Sequence, residues 1–498
     1  MLEDLNRIGP VLTMSGVASL ILVWDFLPVG GLLPRSRGKA LMFFTLLGPA
    51  LAAIWTALLL SADNRGPAFT GSVIIDDASF FFFFIFAGIS AAIVLASQDY
   101  AKRFGDYEGE FFALVLFATS AMFLLAASRD LILIFVALEL TSITQYIMAA
   151  LQKDERSTEA GIKYLLLGAV ASAVILYGMA LLFGLTGTTR LVAPDGQPSI
   201  AAAIADHGAE LRAGLLLSSV MMIAGLGFKM AVVPFQMWVP DVYEGAPAPV
   251  AAFLSVASKA AAFAVVLRIF FDGLPNDAIS DSWATVFAII AAISMTSGNV
   301  LALVQSNIKR LLGYSSIAQA GNFMVGLAAV HAAGGESLGA SGVLFFVASY
   351  VFTNLGAFIV VIAISARTGS DEIKDYAGLG KRSPWLAAAL ALALISLTGI
   401  PPTAGFVAKL YIFNAAVQSD LIWLVVVAVL NSVISAFYYL RVARTMFMDE
   451  APSNESLTTS PSVKLALAVA VAGILFVGIV PSPLLHAARD AASVFGAQ

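Results

Sequence analysis

The chain has 498 residues, of which 60% are hydrophobic and only 12% charged, with a mean hydropathy of +0.91. Soluble domains carry about 25% charged residues, so this composition describes an integral membrane protein along almost its whole length. A net charge of −5 spread over loops predicts no nucleic-acid partner, and the absence of cysteine excludes a thiolate-held iron–sulfur cluster, a disulfide framework and a cysteine-based zinc site.

The acidic start, MLEDLNR, argues against a cleaved secretory signal. In chain order, apolar stretches of about 20 residues then predict an all-α polytopic bundle of about fourteen transmembrane helices. Their approximate limits are 8–27, 40–61, 74–97, 109–127, 130–150, 162–186, 213–238, 246–271, 282–304, 308–330, 341–366, 384–413, 420–447 and 463–484. Residues 198–211 (PSIAAAIADHGAEL) read as a short amphipathic piece outside the membrane. The run Phe80 to Phe86, interrupted by Ile85, reads as a lipid-facing or helix-packing surface.

Two spans are interrupted by proline. GLGFKMAVVPFQMW breaks around Pro234, and TGIPPTAGFVAKLYIF breaks at Pro401 and Pro402. Proline removes a backbone donor and clashes with the preceding turn, and a broken membrane helix is tolerated only inside protein or beside a water-filled cavity. The broken spans are the seventh and the twelfth, which suggests two five-helix repeats. An odd number of spans per repeat inverts the second copy, as in secondary transporters. The expected organisation is a three-helix segment 1–104, a first repeat 105–275 (spans 4–8), a second repeat 276–450 (spans 9–13), and a loop with a last helix, 451–498.

Loop charge sets the expected orientation. Loops after odd-numbered spans carry Arg35, Arg37, Lys39, Lys102, Arg103, Lys153, Arg156, Lys309, Arg310, Lys374, Lys381, Arg382, Arg441 and Arg444. The opposite loops hold mostly acids: Asp63, Asp76, Asp77, Asp272, Asp277, Asp281 and Asp420. The positive-inside rule places the first set in the cytoplasm and both termini outside. One cytoplasmic loop disagrees, 239–245, which carries Asp241 and Glu244 without a base.

The most informative residues are ionisable groups within apolar spans: Glu139, Lys229, Lys259 and Lys409. Such a group at the bilayer centre costs about 2.5–3.5 kcal/mol on insertion scales, so it faces a bundle interior and marks an ion or proton path. Lysine titrates near 10.4 in water; desolvation lowers that value and a neighbouring carboxylate raises it. A lysine between these influences changes protonation when its partner moves, and Glu139 is the expected partner of Lys229. The small residues around Lys259 (PAPVAAFLSVASKAAAF) allow close helix approach and leave room for water. Lys163 begins the sixth span, where a snorkelling interfacial lysine and a role in proton uptake are both open. The bland reading of each buried charge is a fixed ion pair or a packing position; three lysines, two of them beside helix breaks, argue against it. Asp25 is expected at the interface. His207, His331 and His486 lie in or beside loops and form no ligand cluster. GLGFKM lacks the glycine spacing and preceding strand of a dinucleotide fingerprint, and the sequon at Asn454 falls on the cytoplasmic side, where it carries no meaning.

Three segments carry a resemblance: GFKMAVVPFQMWVPDVYEGAPAPVAAFLSVASKAAAF, SGNVLALVQSNIKRLLGYSSIAQAGNFMVGL and TGIPPTAGFVAKLYIF. Over roughly residues 105–450 the chain resembles the antiporter-like membrane subunits of respiratory complex I and their relatives in cation/proton antiporters. M-type members carry glutamate at the position of Lys409, whereas L and N types carry lysine. L-type members add a long C-terminal lateral helix, and this chain ends soon after span fourteen, so the N branch fits.

The resemblance implies a subunit of a proton-translocating NADH:quinone oxidoreductase in a bacterial inner membrane. It moves protons from cytoplasm to periplasm, driven by quinone reduction elsewhere. Glu139 and Lys229 would be the pair whose separation modulates proton affinity, Lys259 the central relay, Lys409 the terminal site and Lys163 a residue near uptake. NADH, FMN, iron–sulfur clusters and quinone would reside in partner subunits, with none in this chain. The partners implied are the lipid bilayer, a neighbouring subunit M and small membrane subunits such as K. The alternatives are a multisubunit cation/proton antiporter, a hydrogenase-linked proton pump, and a non-conducting assembly element.

Overall fold

The computed structural model describes residues 1–26, 37–193, 197–274, 277–330, 338–451 and 456–495. Arg35, His331 and the Asn454–Glu455 sequon lie outside these. Almost every described segment is helical: α1 (Leu2–Arg7), α2 (Gly9–Phe26), α3 (Arg37–Ser61), a hairpin of β1 (Gly66–Ala68) and β2 (Val73–Ile75), α4 (Asp77–Ala96), α5 (Glu108–Ala127), α6 (Leu131–Ala149), α7 (Glu155–Thr186), α8 (Ile200–Met230), α9 (Trp238–Gly245), α10 (Ala248–Gly273), α11 (Asp277–Ala302), α12 (Ile308–Ala328), α13 (Leu338–Thr368), α14 (Pro384–Thr398), α15 (Ala404–Gln418), α16 (Ile422–Met448), α17 (Pro461–Ile479) and α18 (Ser482–Ala492). Eleven helices among the described residues are long and apolar enough to cross a bilayer.

Several helices start where short polar side chains accept orphan amides. Asp130 caps α6 by accepting from Ile132 N and Leu133 N, and Asn307 caps α12 by accepting from Lys309 N and Arg310 N. The two caps sit in matching surroundings: Leu131 N donates to Thr189 O at 2.8 Å, and Ile308 N donates to Asp371 O at 2.8 Å. Each turn thereby pairs with the segment that follows the next helix, Asp130 opposite Arg190 and Asn307 opposite Glu372.

Burial grades the bundle. The apolar window of α10 is 100% buried and that of α13 is 94% buried, while those of α3, α7 and α16 are 33% buried. The small residues of α10 let neighbours close on every side, so the helix that carries Lys259 is the axis of the molecule. It is also irregular, with π-helical turns at Leu254–Ser258 and Arg268–Gly273; Lys259 follows the first directly.

Several sequence expectations are corrected. Residues 198–211 are not a separate piece: Ser199 caps a single helix that continues to Met230 without a proline to stop it. The seventh span ends at Met230 rather than near 238, because Ala231 turns left-handed (φ 62°) and the chain restarts at Trp238. Segment 239–245 is helical, not a loop. Lys309 is buried, donating to Ala246 O at 2.8 Å and pairing with Asp371 at 2.8 Å. In the phenylalanine run only Phe84 is exposed, at 40%, so the rest is packing surface. Asp25 is half-buried against Gly109.

The sequence also hides one buried ion cluster, because Asp76 and Asp272 read as loop acids. Arg268, 1% exposed on α10, holds Asp76 through two parallel bonds of 2.7 and 2.6 Å and pairs with Asp272 at 3.3 Å. Arg129 pairs with Asp272 at 3.2 Å, and the Arg268 Nε donates to Ala126 O at 3.0 Å. The cluster ties the ends of α5 and α10 to the start of α4. The Arg268→Met variant would leave buried carboxylates without their main cation, and breaking such a pair costs about 3–5 kcal/mol. The purified variant is expected to melt well below the parent, and Arg268→Lys to recover only part, since one ammonium cannot reproduce the fork.

Candidate functional site

Lys229, Lys259 and Lys409 are all interior, with 7%, 2% and 6% exposure. Lys229 lies one residue before the end of α8, where the chain breaks ahead of Pro234. Its Nζ has no hydrogen-bond partner and lies among aromatic rings, 5.4 Å from the centroid of Tyr146, 5.6 Å from Tyr164 and 5.8 Å from Phe228. Ring faces within about 6 Å attract a cation, so an ammonium here has aromatic company but no fixed acceptor among the described residues.

Gln145 joins the chamber to the neighbourhood of Lys259. Tyr164 donates its hydroxyl to Gln145 Oε1 at 3.0 Å, and Ser258 donates to the same oxygen at 3.3 Å. Lys259, next along α10, donates from Nζ to Ser316 O at 2.6 Å. Tyr350 donates to Ser316 Oγ at 3.3 Å.

Lys409 lies after the second break. The end of α14 leaves carbonyls without intrahelical partners, and Lys409 Nζ takes them: it donates to Thr398 O at 2.9 Å, Leu397 O at 3.2 Å and Ser432 Oγ at 3.1 Å. Those carbonyls are also the negative end of the α14 dipole. Gln319 donates to the same Leu397 O at 2.9 Å. A cavity of about 10 Å³ bordered by Gln319, Tyr350, Thr353, Ser396 and Lys409 matches the room one water requires. Ser316 and Gln319 stand one turn apart on α12, so that helix links the Lys259 site to the Lys409 site.

Two sequence-predicted residues stand apart. Glu139 is half-buried on α6 and accepts a short hydrogen bond from Ser172. It makes no hydrogen bond or ion pair to Lys229, although its charge acts on the buried amine. The physical reason is the helix face: Glu139 adjoins the exposed stripe Ile132, Val136, Leu140 and Ile143, while Lys229 sits behind Tyr146 and Tyr164. Lys163 is partly exposed and pairs with Glu159 at 2.7 Å and Asp241 at 3.0 Å. Arg310 pairs with Asp241 at 2.7 Å and Glu244 at 2.9 Å. The acids of 239–245 therefore find their bases on other segments. A polar cavity of about 240 Å³, lined by Arg156, Glu159, Lys163, Asp241 and Glu244, opens at this cluster.

Sequence reasoning missed Gln145, Tyr164, Ser316, Gln319 and Ser432, which are common residue types with no spacing signal. Arg268 did leave a signal, an arginine in an apolar run with an acid four residues on, AVVLRIFFDG.

Two predictions follow from the geometry. A Cβ on Gly405 would sit 1.9 Å from Ser396 O, so Gly405→Ala must push α15 off the end of α14 and strip carbonyls from Lys409; overpacking of this kind costs about 1–3 kcal/mol. The expected result is a lowered melting temperature, and an unchanged one would show that the half-helices have slack there. Burial acts to raise the Asp241 carboxyl, but the bonds from Arg310 and Lys163 outweigh it and hold the group below its ordinary 3.8. A depressed carboxyl contributes stability above the unfolded value and loses it as pH falls through the folded one. An acid titration of the melting temperature should thus show the Asp241 step only below roughly pH 4, and Asp241→Asn should abolish that step.

Residues 128–435 match the family described as NADH:quinone oxidoreductase/Mrp antiporter, TM. The chain is 41% identical over 486 residues to NADH-quinone oxidoreductase subunit N of Dehalococcoides mccartyi, covering 96% of this chain and 97% of that protein. To subunit N of Heliobacterium modesticaldum it is 44% identical over 420 residues, covering 84% and 85%. In structure it is similar to a chain of respiratory complex I from Thermus thermophilus, with a TM-score of 0.77 and 32% identity over 97% of this chain and 99% of that one. A chain of the Mrp complex from a Dietzia species shares the fold, with a TM-score of 0.83 at 18% identity over 100% of this chain and 98% of that one. Identity of this order along nearly the whole length, with basic residues buried at both helix breaks, places the chain in the NADH:quinone oxidoreductase/Mrp antiporter membrane family, among the subunit N proteins of NADH-quinone oxidoreductase.

Proposed function

We propose that this subunit carries protons from cytoplasm to periplasm along Lys229, Lys259 and Lys409, with Glu139 setting the charge state of the first. As a subunit N protein it is a proton-translocating membrane subunit of NADH:quinone oxidoreductase. The observation that carries the residue assignment is the row of three buried amines with polar side chains between them, Gln145, Ser316 and Gln319, and room for water beside the last. Lys163 and the polar cavity at Asp241 form the uptake side.

The physical step is electrostatic. Charge arriving from the neighbouring subunit moves Glu139, which lies on the outer face of α6 where a partner reaches it. Lys229 then loses attraction for its proton, which passes to Lys259 and on to Lys409. Moving one charge against 100 mV costs about 2.3 kcal/mol, equivalent to under two pKa units at about 1.36 kcal/mol each, so a rearranged charge suffices. Redox centres and quinone belong to partner subunits, and subunits M and K are the expected membrane neighbours.

This reading includes fourteen crossings in a bacterial inner membrane, both termini periplasmic, and two inverted repeats. The matched pairings at Asp130–Arg190 and Asn307–Glu372 support the repeat, as do the two proline breaks.

Lys229→Ala should lower NADH-driven proton pumping of the assembled complex in proteoliposomes about tenfold or more, equivalent to at least about 1.4 kcal/mol on the limiting barrier. Glu139→Gln should reduce it less, since the lysines remain. Undiminished pumping by assembled Lys229→Ala complex would end this assignment.

A further inference from the structure

We propose that Gln145 is a positioning residue for proton transfer between Lys229 and Lys259. The inference deepens the reading above and rests on it.

Three observations carry it. Gln145 is fully buried, at 0% exposure, and its amide oxygen is the one acceptor shared by both lysine neighbourhoods. It takes the Tyr164 hydroxyl, whose ring lies 5.6 Å from Lys229 Nζ, and the Ser258 hydroxyl, which immediately precedes Lys259. Its amide nitrogen is buried and has no partner among the described residues. Finally, Ser258 closes the π-helical turn Leu254–Ser258, a local widening of α10 of the kind found at functional sites.

The direction of these bonds defines the role. Both hydroxyls donate to the amide oxygen, which holds Tyr164 and Ser258 side by side. An amide oxygen has no proton to pass on, so the two hydroxyls cannot exchange protons through it directly. The unpartnered N–H donor is instead placed to hold water, since buried donors take a polar companion. A proton leaves the Lys229 ammonium for water held at that donor, the water releases another towards neutral Lys259, and Lys259 becomes the ammonium; the water ends with the protons it began with. A neutral amide suits this task because a carboxylate midway would trap an ammonium. If Gln145 were only filling space, an unbranched apolar side chain of its length would serve better inside a membrane bundle, where an unpaired amide N–H is costly.

The test uses Gln145→Met and Gln145→Glu in the complete complex, reconstituted into proteoliposomes, with NADH turnover, proton pumping and the solvent deuterium isotope effect measured. Methionine keeps the length and removes both acceptor and donor: the assembled variant should pump about tenfold less and show a larger isotope effect, because proton transfer becomes limiting. Glutamate keeps an acceptor for both hydroxyls but removes the N–H donor and puts a carboxylate midway, so it should also pump about tenfold less; parental pumping in the assembled Gln145→Glu complex overturns the role of the neutral amide. An assembled Gln145→Met complex with parental pumping and isotope effect overturns the inference. If that variant does not assemble, Tyr164→Phe and Ser258→Ala decide: a raised isotope effect in each supports the inference, and parental values in both overturn it. Lys229→Ala in the same assay separates the two levels. Pumping kept in Lys229→Ala removes the lysine path itself, whereas pumping lost there but kept in Gln145→Met removes only the role of Gln145.

Discussion

An amine held in hydrocarbon must be given acceptors by the protein, and this fold gives them from backbone and rings rather than from counter-charges. Lys409 takes the carbonyls left open where α14 stops. Lys259 takes a carbonyl of α12. Lys229 takes ring faces. Among the described residues none of the three is hydrogen-bonded to a carboxylate.

The two helix breaks do the same work in different ways. In both, proline ends a regular ladder in the interior and leaves polar backbone where it is shielded from lipid. Lys229 sits before its break, on the last turn of α8, and the break leaves it a chamber with Trp238 stacked on Tyr164 at 4.3 Å as its wall. Lys409 sits after its break, on α15, and reaches back to the carbonyl end of α14. Gly399, at φ +92°, makes that turn in a conformation other residues avoid, and the Lys409 stem packs on it, with its Cδ 3.0 Å from where a Cβ would stand.

Charge in this molecule divides into fixed and working groups. The cluster of Arg268, Asp76, Asp272 and Arg129 is built on guanidinium, which does not release its proton; it fastens α4, α5 and α10 together. The Asp241, Glu244, Arg310 and Lys163 cluster is more exposed, and Asp241, Glu244 and Lys163 line an open cavity. Between them the interior carries lysines and neutral hydroxyls and amides, which are groups that donate and accept without adding permanent charge. The contrast explains why a census of buried charge alone would rank Arg268 with the lysines although its partners hold it still.

Much of the site was legible without coordinates. A lysine inside an apolar span is expensive enough to be visible in one sequence, and a proline pair in such a span announces a break. Hydrophobic length and these rare residues fixed the helical bundle, the two interruptions and the positions of Lys229, Lys259 and Lys409, because each rests on local chemistry along the chain. Only the tertiary structure decided which groups meet. Glu139, half-buried, meets Ser172 rather than Lys229, Asp241 finds Arg310, and Gln145 reaches two helices at once. Those contacts depend on helix rotation and packing across residues far apart in the chain, and a glutamine or serine looks the same in sequence whether it faces a lysine or a lipid.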